Sequence, residues 1–297
     1  MGLKLDSPLA ADLCFAISKK LGFSHDASQE GDRTQNFTDE EYFAWRSDEL
    51  GQQFDDHFSA DLVRGKDCID FGCGVGDLAF HITRHQPKSV LGLELDPVGV
   101  QMANDRLQKE TFPVTPEFRA SHADHVELPD DSADLILCFD VLEHIMDYRQ
   151  IITEWKRILR PGGRMGILWC PWFHPYGPHI ESLVPIPWCH VLFSERVLIE
   201  TCARIYDSSE YQPRVWDLDE DGKRLPNKWR NMRELPEVNR LTMKEFEDVC
   251  SQVGLRVARR DLYGFGGSAL SRLTRPLIKL PATREYFASY VIYELEA

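Results

Sequence analysis

The chain has 297 residues, of which 43% are hydrophobic and 28% are charged, and its formal net charge is −14. This composition is typical of a globular protein that is large enough for one α/β domain or for two smaller domains. The acidic balance disfavours nucleic acid as a partner, because a negative surface repels a phosphate backbone. The sequence contains no run of about 18 apolar residues, so it predicts no membrane-spanning helix. The eight cysteines contain no CxxC pair, so we expect reduced thiols and a cytoplasmic protein.

The N-terminal region, residues 1–65, is predicted to be a helical extension. Thr38 and the three acidic residues after it are a typical helix start, because acidic side chains favour the positive end of the helix dipole. Residues 22–37 are polar and contain glycine, which predicts a loop.

Between residues 66 and 170, short apolar runs alternate with segments of helical periodicity. The runs 68–71, 90–95, 135–139 and 165–170 are almost continuously apolar, as strands buried on both faces are. Residues 147–160 have the apolar spacing of a helix that ends near the Pro-Gly-Gly turn at 161–163. This alternation predicts βαβ units with right-handed crossovers and a parallel sheet.

The strand and helix pattern is lost over residues 171–240, which are rich in aromatics, prolines and histidines. We predict that this insertion covers the carboxyl edge of the sheet and forms a ligand pocket. Its aromatic side chains could instead form a core of their own, and the insertion could also mediate dimerisation. Residues 241–297 are predicted to return to the sheet, with a helix over 241–254 and strands near 255–262 and 289–294.

A glycine loop, CIDFGCGVGDLAF over residues 68–80, spans the end of the first predicted strand and the start of a helix. In the G-x-G-x-x-G fingerprint of dinucleotide sites the third glycine would fall at position 77, which is Asp77 here. The chain instead reads D-x-G-x-G-x-G from Asp70 to Gly76. An acid two residues before the first glycine suits a ligand with a positive amino group better than a pyrophosphate.

Four segments in this order resemble the class I S-adenosylmethionine-dependent methyltransferases. They are the glycine loop, VLGLELDP at 90–97, DHVELPDDSAD at 124–134, and LILCFDVLEHI at 135–145 with ILRPGG at 158–163. The resemblance implies an α/β fold with a Rossmann-like, seven-stranded, mostly parallel sheet and helices on both faces. It also implies an N-terminal helical lid and S-adenosylmethionine as cofactor. The predicted aromatic pocket of the insertion favours a small organic acceptor.

The resemblance also assigns cofactor contacts to residues of this chain. Asp70 would lie beside the methionine amino group, Glu94 would bind both ribose hydroxyls, and Asp124 would bind the exocyclic amine of adenine. His125 would present its backbone N–H to adenine, and Arg46 would meet the methionine carboxylate. The full predicted set is Asp70, Gly72, Cys73, Gly74, Gly76, Glu94, Leu95, Asp124, His125, Phe139 and Arg46. Any one of them could instead have a structural role.

Methyl transfer is an in-line displacement, and a hydroxyl acceptor also needs a base at the mouth of the cofactor pocket. His144 follows the carboxyl end of the fourth predicted strand, where ligands bind in open α/β sheets. His174 and His179 of the insertion are the other predicted catalytic residues. All three could instead be structural. Oxygen is therefore the first predicted acceptor atom, with nitrogen and carbon left open.

Asp140, Glu143 and His144 would share one face if a helix began at Asp140. Two carboxylates and an imidazole could then bind a divalent metal. The arrangement resembles the metal sets of ubiquinone-pathway O-methyltransferases and of small-RNA 2′-O-methyltransferases. Two other functions stay open, a nucleotide-dependent oxidoreductase on the same type of sheet and a cofactor-binding module without catalysis. The sequence leaves the oligomeric state open as well.

Overall fold

The computed structural model describes residues 4–22, 39–213, 217–219, 221–235, 238–264 and 274–297, with side chains left out at 39–47. The predicted loop at 22–37 lies almost wholly outside the described residues. Two compact units are present. The first comprises Met1–Glu40, Cys170–Arg240 and Tyr263–Ser289, and the second comprises Glu41–Trp169, Leu241–Leu262 and Tyr290–Ala297.

The described residues form a seven-stranded sheet with the strand order β3-β2-β1-β4-β5-β7-β6. Strands β1 to β5 pair in parallel, whereas β7 is antiparallel to β5. The strands are β1 Asp67–Phe71, β2 Ser89–Glu94, β3 Glu117–Ala120, β4 Ala133–Phe139, β5 Leu159–Trp169, β6 Arg256–Gly264 and β7 Ala288–Glu296. The prediction of a Rossmann-like, seven-stranded, mostly parallel sheet is confirmed.

The helices connect the strands and build the first unit. They are α1 Pro8–Leu21, α2 Asp39–His57, α3 Asp77–Ile82, α4 Pro97–Lys109, α5 Tyr148–Ile158, α6 Cys189–Leu192, α7 Glu195–Tyr206, α8 Met243–Val253 and α9 Arg284–Phe287. Helix α8 begins with a capping box, in which Thr242 and Glu245 satisfy each other's backbone N–H groups. It ends at Gly254, which has a φ of 84°.

Most of the predicted strands lie within two residues of the observed ones, because long buried apolar runs leave little choice of register. Helix α5 ends two residues earlier than predicted, since Leu159 is already extended with φ −73° and ψ 132° and begins β5. Strand β3 was not predicted. Phe118 is its one buried side chain, so an apolar run is absent from this strand at the edge of the sheet.

The first unit has its own apolar core, which joins α1 to the insertion. Cys14 of α1 belongs to the same buried cluster as Leu198 and Cys202 of α7. Leu5 forms a bridge with the insertion, because its N–H donates to the carbonyl of Leu192 and its carbonyl accepts the N–H of Ser194, both at 2.9 Å. Helix α1 therefore folds together with residues far along the chain.

Two further predictions concern the whole chain. All eight cysteines are free thiols and seven of them are buried, as expected for residues that behave as small hydrophobes. Among the described residues, no helix combines the length and the apolar character that crossing a bilayer requires.

Candidate functional site

A cleft of about 480 Å³ lies in the second unit, beside the residues that end or follow β1, β2 and β4. This is the edge at which open α/β sheets bind ligands, and the volume is within the usual range for small-molecule pockets. The lining residues are Phe71, Gly72, Leu93, Glu94, Leu95, Ser121, His122, Ala123, Asp124, Asp140, Val141, His144, Ile145, Met146, Asp147 and Ile151.

The glycine loop forms one wall of this cleft. Gly72 has a φ of 76°, and a Cβ atom there would lie 2.5 Å from the side chain of Val141. Gly76 has a φ of 89°, and its Cβ atom would lie 2.7 Å from the ring of Phe118. Both positions therefore require glycine for backbone conformation and for space. The N–H of Gly72 donates to the carbonyl of Leu93 at 2.7 Å, which ties the loop to the end of β2.

Glu94, the last residue of β2, is held in place by two backbone amides. Its Oε2 accepts the N–H of Gly74 at 2.8 Å, and its Oε1 accepts the N–H of Asp96 at 2.9 Å. An ionised carboxylate has about four lone-pair sites, so each oxygen keeps further capacity to accept a hydrogen bond. Glu94 lines the cleft and can thus accept hydrogen bonds from two neighbouring hydroxyls while its own orientation stays fixed.

Asp70 is buried below the glycine loop, with 2% of its surface exposed, and it does not line the cleft. Burial raises the pKa of its carboxyl to about 7, against the opposing effect of a hydrogen bond from the backbone of Ala79. The negative charges of Asp77 and Glu94 raise this pKa further. Its Oδ2 atom has no hydrogen-bond partner within the described residues. A positive ligand group near the loop would stabilise the ionised form.

A short loop after β3 contributes a second part of the cleft lining, with Ser121, His122, Ala123 and Asp124. Asp124 is exposed, and its Oδ1 lies 2.8 Å from Nδ1 of His125. This hydrogen bond lowers the pKa of Asp124 and raises the pKa of His125. The ring of His125 stacks on that of His122 at 4.2 Å. The side chain of His125 therefore holds Asp124 and His122 rather than lining the cleft.

Only some of the predicted cofactor residues line the cleft. Gly72, Glu94, Leu95 and Asp124 line the cleft. Gly74 acts through Glu94, as described above, and Gly76 is the N-cap residue of α3. Phe139 is buried, and its ring centroid lies 5.4 Å from that of Phe58. Cys73 is also buried, which raises the pKa of its thiol well above the usual range. Arg46 is in α2, in the stretch whose side chains are outside the described residues.

His122 lines the cleft but was not among the predicted site residues. A signal for it was nearby, since it lies two positions before Asp124, just ahead of the stretch 124–134 that the resemblance assigns to adenine.

The segment after β4 is not the helix that the proposed metal set assumes. Asp140 has a φ of 53°, and Leu142–His144 forms a single turn of 3-10 helix. Asp140 and His144 line the cleft, whereas Glu143 is buried. Oxygens of Asp140 and Glu143 lie within 4.8 Å of each other, but His144 does not join them in a ligand cluster of that size. The three side chains thus do not share one helix face.

The histidines of the insertion are in the first unit. His174 is buried, and its Nδ1 accepts the N–H of Tyr176 at 3.0 Å. Burial lowers the pKa of His174 to about 3 and that of His190 to about 4, so both are neutral at physiological pH. His179 is exposed, with a φ of 52°. Trp216 of the insertion lies outside the described residues.

Comparison with known proteins points to one family. A family model described as "Methyltransferase domain" matches residues 69–167. "Methyltransferase GfsG" of Streptomyces halstedii is 30% identical over 162 residues, covering 51% of this chain and 58% of that protein. "27-O-demethylrifamycin SV methyltransferase" of Amycolatopsis mediterranei is 31% identical over 106 residues, covering 36% and 39%. The "Ubiquinone biosynthesis O-methyltransferase" of Cereibacter sphaeroides is 29% identical over 120 residues, covering 40% and 47%.

The chain thus spans roughly half the length of the curated relatives it matches. The matched residues 69–167 contain the glycine loop, Glu94, Asp124 and the turn at His144, which are the parts that form the cleft. The strand order of the sheet and the placement of these motifs at its carboxyl edge agree with this match. The chain carries a class I S-adenosylmethionine-dependent methyltransferase domain.

Proposed function

We propose that the protein transfers the methyl group of S-adenosylmethionine to a small organic acceptor, with an oxygen atom as the first choice. The observation that carries this proposal is Glu94, which is fixed by the amides of Gly74 and Asp96 at the wall of the cleft. A pre-oriented carboxylate at the end of β2 suits the two hydroxyls of a ribose.

The positions of two further side chains support the other proposed contacts. Asp124 lines the cleft and would accept a hydrogen bond from the adenine amine. The buried charge of Asp70 would favour the positive methionine end beside the glycine loop. When bound, S-adenosylmethionine supplies an activated methyl group. The chain's own contribution is to orient the reactants, which can supply roughly 7–11 kcal/mol of the barrier reduction.

His144 is our proposed general base for an oxygen acceptor. It is exposed and lines the cleft in the turn directly after β4. His174 is a weaker candidate, because its Nδ1 already accepts a backbone hydrogen bond in a buried site. The catalytic role of His179 stays a prediction, as does the binding of the acceptor by residues 171–240.

The class of acceptor is supported by the names of the relatives. They include a "Tocopherol O-methyltransferase, chloroplastic" of Arabidopsis thaliana and a "Norajmaline N-methyltransferase" of Rauvolfia serpentina. Small molecules that offer oxygen or nitrogen are therefore the acceptors to test first. A cytoplasmic location is also a proposal, supported by the eight free cysteines.

Calorimetric titration with S-adenosylmethionine, S-adenosylhomocysteine, NADH and NADPH tests the cofactor. We expect heat from the first two ligands alone. Binding of NADH or NADPH without binding of S-adenosylmethionine would favour the oxidoreductase alternative and overturn the proposal.

A second assay separates a working enzyme from a module that only binds the cofactor. The release of S-adenosylhomocysteine is measured with panels of phenols, other hydroxyl compounds and amines. Acceptor-dependent release is expected. The same assay with and without EDTA tests the alternative that Asp140, Glu143 and His144 bind a divalent metal, since unchanged activity would remove that metal from the reaction.

A further inference from the structure

A cluster of two histidines and one aspartate lies in the second unit, outside the cleft. Asp55 is in α2, His81 is in α3, and His85 ends the 3-10 turn Thr83–His85 that follows α3. One carboxylate oxygen of Asp55 lies 3.1 Å from Nε2 of His81, and the other lies 3.1 Å from Nε2 of His85. The four-residue spacing of the two histidines brings both rings to the same carboxylate.

The two close contacts do not have the geometry of hydrogen bonds. The Nε2 atoms of His81 and His85 are both shielded from solvent, and within the described residues neither has a hydrogen-bond partner. Buried polar atoms are normally satisfied, so a pair of unsatisfied nitrogens facing one carboxylate requires an explanation. A metal ion provides one, because it uses the nitrogen lone pairs and needs no shared proton.

The arrangement also fits a metal in distance and in charge. Ligand atoms of a tetrahedral zinc site, at about 2.0–2.1 Å from the ion, lie about 3.3 Å apart. The two nitrogen–oxygen separations of 3.1 Å are close to this value, and one ligand atom from each of the three residues lies within 4.8 Å of the others. Two neutral imidazoles and one carboxylate together carry a single negative charge. The side chains of His81 and His85 are only 14% and 20% exposed, whereas that of Asp55 is 50% exposed, which leaves one side open to water.

We propose that Asp55, His81 and His85 bind a zinc ion, with water completing the coordination. Nitrogen and carboxylate ligands suit zinc, whereas magnesium prefers six oxygen ligands. Because Asp55 is in α2 and both histidines are in or next to α3, the ion fixes α2 to the helix that follows the glycine loop. The proposal does not depend on the methyl transfer proposed above.

A second histidine cluster of the second unit provides the matched control. His122, His125 and Glu127 also lie within ligand distance of one another, but all three are exposed. The Nδ1 of His125 is already hydrogen-bonded to Asp124. This fully exposed cluster should therefore bind zinc more weakly than the cluster of Asp55, His81 and His85, whose histidines are largely shielded.

The test is a zinc titration of metal-depleted full-length protein, monitored with a competing chromophoric chelator. We expect one zinc per chain and no displacement by a large excess of magnesium. The variants Asp55→Asn and His85→Gln should each lose at least tenfold in affinity, and His122→Gln should keep the wild-type value. Zinc should also raise the melting temperature of the wild type but not that of Asp55→Asn.

A spectroscopic measurement on the wild-type protein covers the case in which a variant fails to fold. Cobalt(II) bound in place of zinc should give the visible absorption of a four-coordinate site with nitrogen and oxygen ligands, without a thiolate charge-transfer band. Three results overturn the proposal: no stoichiometric binding, loss of binding in His122→Gln instead of His85→Gln, or a thiolate band that assigns the ion to cysteine.

Discussion

Two carboxylates of the sequence motifs have different environments in the structure. Asp70 and Glu94 are both assigned to the cofactor by their motifs, yet Glu94 lines the cleft and Asp70 is buried beneath the loop. Glu94 can contact a ligand directly, whereas Asp70 can act through its charge. This difference leads to separate predictions for the two residues.

Glu94→Gln should weaken the binding of S-adenosylmethionine at least tenfold. The amide retains one acceptor oxygen but loses the negative charge, and hydrogen bonds to charged groups contribute about 1.5–3 kcal/mol. Isothermal titration calorimetry measures the change. Glu117→Gln on the exposed edge strand β3 is the control and should bind as the wild type does. Equal affinity in the Glu94 and Glu117 variants would contradict the assignment.

The stability of the wild type should fall as the pH rises from about 4 to about 7, relative to Asp70→Asn. The native pKa of Asp70 is about 7 against a usual 3.8, so the native state binds the proton more tightly than the unfolded state does in this window. The contribution is at most about 1.4 kcal/mol per pH unit. Chemical denaturation at several pH values tests it, with exposed Asp61→Asn as the control. Parallel curves for the wild type and Asp70→Asn would show the prediction to be wrong.

His144→Gln should lower kcat by about 10²- to 10⁴-fold with an oxygen acceptor, which is the usual contribution of a general base. The affinity for S-adenosylmethionine should change little. His57→Gln, at the end of α2 and not part of the cleft lining, is the control and should retain activity. An unchanged kcat in His144→Gln would leave His144 with a structural role.

At the scale of elements, the helices and strands that could be predicted are those whose own residues carry the signal. Strands β1, β2 and β4 are almost continuously apolar, and α8 carries both its start and its stop signal, so each was predictable from its own residues. The turn at Leu142–His144 was not predictable in this way, because the left-handed backbone of Asp140 precludes the expected helix start. Strand β3 was missed because most of its side chains are exposed.

The start of α3 should be intolerant of any side chain at its N-cap. Gly76→Ala should combine the strain of a positive φ, about 1–2 kcal/mol, with overpacking against Phe118 and Phe80, typically about 1–3 kcal/mol. Gly162→Ala is the control, because its φ is 77° but nothing lies within 4 Å of its Cβ position. Thermal denaturation should show a clearly larger loss for Gly76→Ala. Equal losses would mean that strain alone acts there.

At the scale of the whole molecule, the net charge determines which classes of macromolecule the protein can bind. With 34 basic and 48 acidic residues, the protein should not bind nucleic acid. Fluorescence anisotropy of a labelled RNA at physiological salt should stay constant up to about 10 μM protein, where basic proteins already show non-specific binding. A lysine-rich RNA-binding protein of similar size is the positive control. A rise in anisotropy that is removed by salt would contradict this expectation.

The sequence by itself determined strands β1, β2 and β4, the glycine loop and the acid at the end of β2, because these depend on local periodicity and on fixed spacings. The resemblance of four motifs indicated the methyltransferase domain. The tertiary structure alone decided that α1 packs with α7, that Asp70 is buried and that His81 and His85 meet Asp55. The physical reason is that burial, and with it pKa and ligand geometry, depends on which distant segments pack together. Periodicity within one segment carries no information about that partner.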